Sequence, residues 1–267
     1  MSSVTSGFSH AQALGRPLVT ILEIDAILSR LVVDWHAVAV SHDQQGLLGT
    51  VCDLHRFNFL LWHEEDIARS PDVTDSRIAE VKRAIDRYNQ SRNDSIEKVD
   101  DWLIEELASL GIAAADNAPA ATETPGAAID RLSILELRRY HMREQGDRGD
   151  ATATHREKVA ERMKVLDRQR LHLIESLDRL MAEIFSGVRP LRVFRQMKMY
   201  NDPSLNPYLY KAQTGGAGAL GGWLASAMPR GFTCVASVSS QQSRCISLAA
   251  ACFGIVSIGN RNRRSLL

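Results

Sequence analysis

Apolar residues recur along most of the first 190 positions at intervals of three and four, the spacing of one helix face, and alternating runs of strand type are missing. Thr20 to about Ser41 predicts a first helix through Ile21, Ile24, Ile27/Leu28, Leu31, Trp35 and Val38. Gly46–Arg69 predicts a second, apolar on nearly every side at Leu54, Phe57, Phe59, Leu60, Leu61 and Trp62, as in a helix surrounded by others. A third, capped by Thr74 or Asp75 and stopping near Gly111, carries Ile78, Val81, Ile85, Tyr88, Ile96, Val99 and Leu103 on one stripe. An Ala/Pro/Thr linker at about 113–124 leads to a fourth helix from about Ala128 to Glu144. After the Gly146–Gly149 turn comes a fifth, at about 152–186. Proline-free stretches at 18–70, 72–118 and 126–189 leave room for these lengths. The expected fold class is all-α, an antiparallel bundle of about five long helices.

Polar residues stand where this pattern calls for apolar ones. Arg92 sits at the centre of the third helix's apolar stripe, and Asp86, Asn89, Asn93, Glu97 and Asp100 run beside it. On the second helix a comparable line passes through His55, Asn58, Trp62, Glu65/Asp66 and Arg69. A buried guanidinium needs carboxylate or carbonyl partners. One reading is therefore a polar pocket between the second and third helices, lined by His63, Glu65, Asp66, Arg69, Asn89, Arg92, Asn93 and Glu97. Under this reading and under a register ion pair alike, Arg92 is expected inside the bundle, within hydrogen-bond reach of Glu65 or Asp66. The other reading is structural: Arg92 snorkels, or one buried ion pair sets helix register. Arg170, which interrupts the fifth helix's stripe in the same way, speaks for it.

Composition narrows the function classes. The 267 residues carry 32 basic and 32 acidic side chains, so the basic excess of a nucleic-acid binder is missing and no nucleic-acid partner is expected. No apolar window reaches the roughly 20 residues of a membrane span, and no secretory signal is visible, which gives a cytoplasmic expectation. The neutral total hides an asymmetry. No Asp or Glu follows Asp202, and positions 203–267 carry a charge of +6 against −6 before them. Eight of the 17 glycines lie between Gly215 and Gly259. Residues 212–267 therefore read as a poorly ordered, low-complexity tail, dispensable for the fold, and 1–18 as a flexible leader to a bundle domain at 19–211.

Motifs of known chemistry are missing. No Glu has His three residues on, as paired di-iron helices need, and His63-Glu64-Glu65-Asp66 is not the H-E-x-x-H of a zincin. No metal-ligand set is assigned and no cofactor is specified; His63 with Glu64 or Asp66 is the one local pairing that offers a cation anything. Glu97-x-x-Asp100 matches half of the carboxylate pattern of helical nucleotide pyrophosphohydrolases, but the other half is missing. Cys52, alone in an apolar helix, reads as a packed thiol.

Four stretches carry a resemblance. They are Phe57-Asn58-Phe59-Leu60-Leu61-Trp62-His63-Glu64-Glu65-Asp66-Ile67-Ala68-Arg69; Lys82-Arg83-Ala84-Ile85-Asp86 with Asn89-Gln90-Ser91-Arg92-Asn93-Asp94; Glu123-Thr124-Pro125-Gly126 leading to Asp130-Arg131-Leu132-Ser133-Ile134-Leu135-Glu136-Leu137; and Arg195-Gln196-Met197-Lys198-Met199-Tyr200-Asn201-Asp202-Pro203. Over about 20–210 the chain resembles the bacterial DUF4254 family, helical proteins of unknown function. The resemblance implies a helical fold and a setting beside cell-surface polysaccharide glycosyltransferases, and carries over no catalytic residue. Two functions follow as expectations. In one, the pocket binds a small polar or phosphorylated ligand such as a sugar nucleotide, with Arg69 and Arg92 on anionic oxygens and Asn89 and Asn93 on hydroxyls. In the other, the chain is a non-catalytic partner or scaffold, for instance of a glycosyltransferase-type enzyme, and its inward polar residues serve register alone.

Overall fold

A computed structural model of the chain describes residues 19–195, 197, 199 and 202–209. Among them are five long helices, α1 (Ile21–Ala37), α2 (Gly46–Ala68), α3 (Asp75–Ser109), α4 (Pro125–Asp147) and α5 (Ala153–Phe185), and no strand. The chain divides into two units, Met1–Gln196, which holds all five helices, and Met197–Leu267. Of the second unit the described part includes a turn in which Asp202 accepts from the backbone N–H and hydroxyl of Ser204. The leader at 1–18 and the tail at 212–267 lie outside the described residues. No described helix is long and apolar enough to cross a membrane.

Threonine begins four of the five helices. Thr20, Thr74, Thr124 and Thr152 each accept from the backbone N–H three residues on, and Thr20 completes a capping box with Glu23. Each such cap is worth about 1 kcal/mol, because it satisfies one of the N–H groups a helix start leaves unpaired. Gly111 and Gly187, just past α3 and α5, adopt φ of +66° and +71°, which ends a helix at little cost only for glycine.

Two apolar clusters organise the bundle. In one, Ile21, Ile24 and Leu28 of α1 pack with Leu47, Val51 and Leu54 of α2, Ala128, Ile129 and Leu132 of α4, and residues of α3 and α5. In the other, Leu31, Val32 and Trp35 meet Cys52, Phe59 and Leu137. Early residues of α1 meet early residues of α2 and α4, and late ones meet late ones, so these three helices run in the same sense. The connection at 38–45 permits this. It leaves the helix at Ala37, short of the expected Ser41, returns without regular structure, and is tied down where the Trp35 indole donates to the Ser41 carbonyl at 2.8 Å. α3 and α5 fold back as the antiparallel arms of α2 and α4.

α4 starts three residues before the expected Ala128. Pro125 takes the first turn, where its missing N–H is no loss. The Gly126 N–H donates to the buried Asp100 carboxylate of α3 at 2.8 Å. Burial raises the Asp100 carboxyl above its usual range even though Thr124 and Gly126 bond to it. The two helices meet so closely that a Cβ on Gly126 would lie 2.5 Å from the Ile96 carbonyl oxygen. Gly126→Ala is therefore expected to lower stability by about 1–3 kcal/mol through forced separation of α3 and α4, read as a shift in the urea midpoint. An unchanged midpoint would contradict this close approach.

Candidate functional site

Arg92 does turn inward, but not towards Glu65 or Asp66. Its guanidinium forks onto Asp130 of α4, Nε to Oδ1 at 2.9 Å and Nη2 to Oδ2 at 2.8 Å, with the two side chains 15 % and 9 % exposed. Nη1 donates to Asn89 Oδ1 at a longer 3.4 Å. From α2, Asn58 Nδ2 donates to the same Asp130 Oδ1 at 2.8 Å and to Ser133 Oγ at 3.0 Å. Ser133 Oγ in turn lies 2.8 Å from His55 Nδ1. His55 is fully buried, and burial pulls it down to about 3, so the ring is neutral. Asp130 thus ties α2, α3 and α4 together.

A second carboxylate on α4 does the same on another side. Glu136, 1 % exposed, accepts from the Ser29 hydroxyl of α1 at 2.7 Å and from Arg139 Nη1 at 2.7 and 3.0 Å. Arg170 of α5 lies 3.0 Å from it through Nε and pairs with Asp25 of α1. Arg139 also donates to Asp167 of α5 at 2.9 Å.

The eight expected pocket residues divide by partner rather than sharing a site. Asn89 and Arg92 belong to the Asp130 network, and Asn93 is buried on α3. Glu97 pairs with Arg195 at 2.9 Å, and the same arginine holds Asp101. Of the Glu97-x-x-Asp100 pair, Glu97 is engaged by Arg195 and Asp100 by the Gly126 N–H. Glu65 and Arg69 pair with each other at 2.9 Å one helical turn apart, and Asp66 is exposed. The expected link from Arg92 to these carboxylates fails because α4, not the end of α2, presents an acid at the depth of Arg92. Cys52 is a packed thiol, pushed up to about 12 by burial with Asp53 beside it.

His63 stands with two residues that sequence reasoning missed. Its ring is 5.2 Å from that of His36 on α1 and 5.7 Å from that of His141 on α4, centroid to centroid. Burial and then these two neighbours lower the His63 pKa, while Asp66 and Glu144 act the other way. No local spacing joins positions 36, 63 and 141. The one usable signal was that each falls in the later half of its helix beside an aromatic residue, Trp35, Trp62 and Tyr140.

A family model, "Protein of unknown function (DUF4254)", matches residues 49–193, more than half of the chain. The chain belongs to the DUF4254 family. The match runs from Gly49 within α2 through α5 and so includes Asp130, Glu136, His63 and His141, while α1 with His36 precedes it. Neither the curated proteins nor the solved structures hold a significant match.

Arg92→Met strands the Asp130 carboxylate and is expected to cost about 3–5 kcal/mol. Adding Asp130→Asn should recover much of that loss, and a double-mutant cycle by chemical denaturation measures the coupling. Additive losses would refute the pair. Stability should also depend on His55. Its folded pKa lies below the unfolded value of about 6.5, so the unfolded chain binds the extra proton and stability falls as pH drops from about 6.5 towards 3, by up to about 1.4 kcal/mol per unit. His55→Gln should flatten that slope, and an unaltered slope would count against a neutral buried ring.

Proposed function

We propose that the protein acts as a helical partner or scaffold whose inward polar residues serve helix register. The observation that supports this reading is the Asp130 fork: the guanidinium that a phosphorylated ligand would need is already held by a carboxylate of the protein itself. Asp130 and Glu136 each join three helices through side chains that pair with one another, the pattern of a register device. α1 adds an exposed stripe at Leu22, Ala26, Val33 and Ala37, a face that a partner would cover. The family resemblance suggests a polysaccharide glycosyltransferase as that partner.

The competing reading is a sugar nucleotide bound at Arg69, Asn89, Arg92 and Asn93, and melting temperatures separate the two. A ligand at a hundred times its Kd adds about 2.7 kcal/mol to stability, worth roughly 5–10 °C in a domain of this size. Uridine and guanosine diphosphate sugars at millimolar concentration are expected to leave the melting temperature of the full chain unchanged. A rise of several degrees that Asn89→Ala abolishes, without lowering the melting temperature of the free protein, would overturn the scaffold reading in favour of the pocket.

A further inference from the structure

Because α1, α2 and α4 run in the same sense, their later residues gather at one end of the bundle, and there His36, His63 and His141 converge. One ring nitrogen from each lies within 4.8 Å of the other two. Two of the three tautomers follow from hydrogen bonding. His36 Nδ1 is 2.6 Å from the Val32 carbonyl oxygen, which can only accept, so a neutral ring carries its hydrogen on Nδ1 and its lone pair on Nε2. His141 Nδ1 is 2.7 Å from Glu144 Oε2 with the same consequence. Both Nε2 atoms are buried and have no hydrogen-bond partner among the described residues.

Aromatic packing sets the ring planes. Tyr140 stacks on His36 at 4.0 Å, Trp62 stacks on His141 at 4.8 Å, and Phe59 meets His63 edge-on at 4.5 Å. Three imidazoles, two of them held through Nδ1 by a carbonyl and a carboxylate, match in kind the donors and outer partners that transition metals take. A triangle with 4.8 Å sides has its centre about 2.8 Å from each corner, against roughly 2.0–2.1 Å in zinc–imidazole bonds, so small ring movements close the difference. The carboxylates of Asp66 and Glu144, which act electrostatically on His63, favour a cation here.

We infer that His36 and His141, through Nε2, and His63 bind one divalent transition-metal ion of the zinc class. Neutral nitrogen donors suit zinc, cobalt, nickel or copper and not magnesium or calcium, which take oxygen ligands. Three protein ligands leave a fourth position for water or an exchangeable group. The site is independent of the Arg92 network and stands whichever way that network is read.

Co²⁺ titration of the full chain, after treatment with a chelator, tests this through the visible bands of nitrogen-ligated Co²⁺. The expected result is saturation at one ion per chain, displacement by Zn²⁺ and none by Mg²⁺. His63→Ala and His141→Ala should each weaken binding at least tenfold. Glu144→Gln, at an exposed position that leaves the core untouched, should weaken it about 10-fold or more by removing the partner that orients His141. No saturable binding, or binding that keeps its affinity in Glu144→Gln and in whichever histidine variants fold, would overturn the site.

Discussion

A carboxylate at the depth of Asp130 is tolerable only because Arg92 is brought to it. Removing either ion from water costs several kcal/mol, and that cost is met when both oxygens receive donors in good geometry. The Arg92 fork and Asn58 supply three donors to the two oxygens. All three helices must therefore hold their relative height, since a slip of one turn would move a group by about 5.4 Å and leave the charge bare. Apolar packing alone is permissive about such slips; a fork between two charged groups is not.

α4 bears this constraint twice. Asp130 looks to α2 and α3, whereas Glu136 looks to α1 and α5. Two buried acids on different sides of one helix explain why α4 lacks a clean polar face. It is the element the others surround, and Asp130, Ser133 and Glu136 on it point inward. Within the same-sense run of α1, α2 and α4, Ser29 and Asp25 reach the Glu136–Arg170 pair while Asn58 reaches Asp130.

Much of the fold was legible because it rests on local rules. Periodicity marked the five helices, and Thr74 and Gly111 gave the bounds of α3 within a residue or so. Pro125 was less readable, since proline both ends helices and opens them, and only the contact of Gly126 with Asp100 decides which. The inward position of Arg92 was legible from its stripe. Its partner was not: 38 positions separate Arg92 from Asp130, and periodicity says which face a residue occupies, not which helix faces it. Glu65 looked nearer because adjacent helices were assumed to supply the acid, and it pairs within its own helix instead. His36 and His141 were invisible for the same reason, compounded by a 38–45 return that places α1 beside α2 in the same sense.

The two polar regions also differ in how they are satisfied, and this is what separates a structural role from a binding one. Around Asp130 and Glu136 the charged groups are spent on each other, so a ligand would have to displace a protein carboxylate to use Arg92. Other buried atoms lack partners, Asn58 Oδ1 and Asp25 Oδ1 among them, on side chains that are otherwise engaged. At the histidine end, two bare imidazole nitrogens come from different helices, on rings that gather with a third. Leaving a buried acceptor without a donor costs about 1–3 kcal/mol, and neither nitrogen can turn to find one while its opposite nitrogen is held by Val32 or Glu144. A bundle that spends its other buried charges on helix register, yet accepts that cost twice at one point, has left those lone pairs for something other than itself.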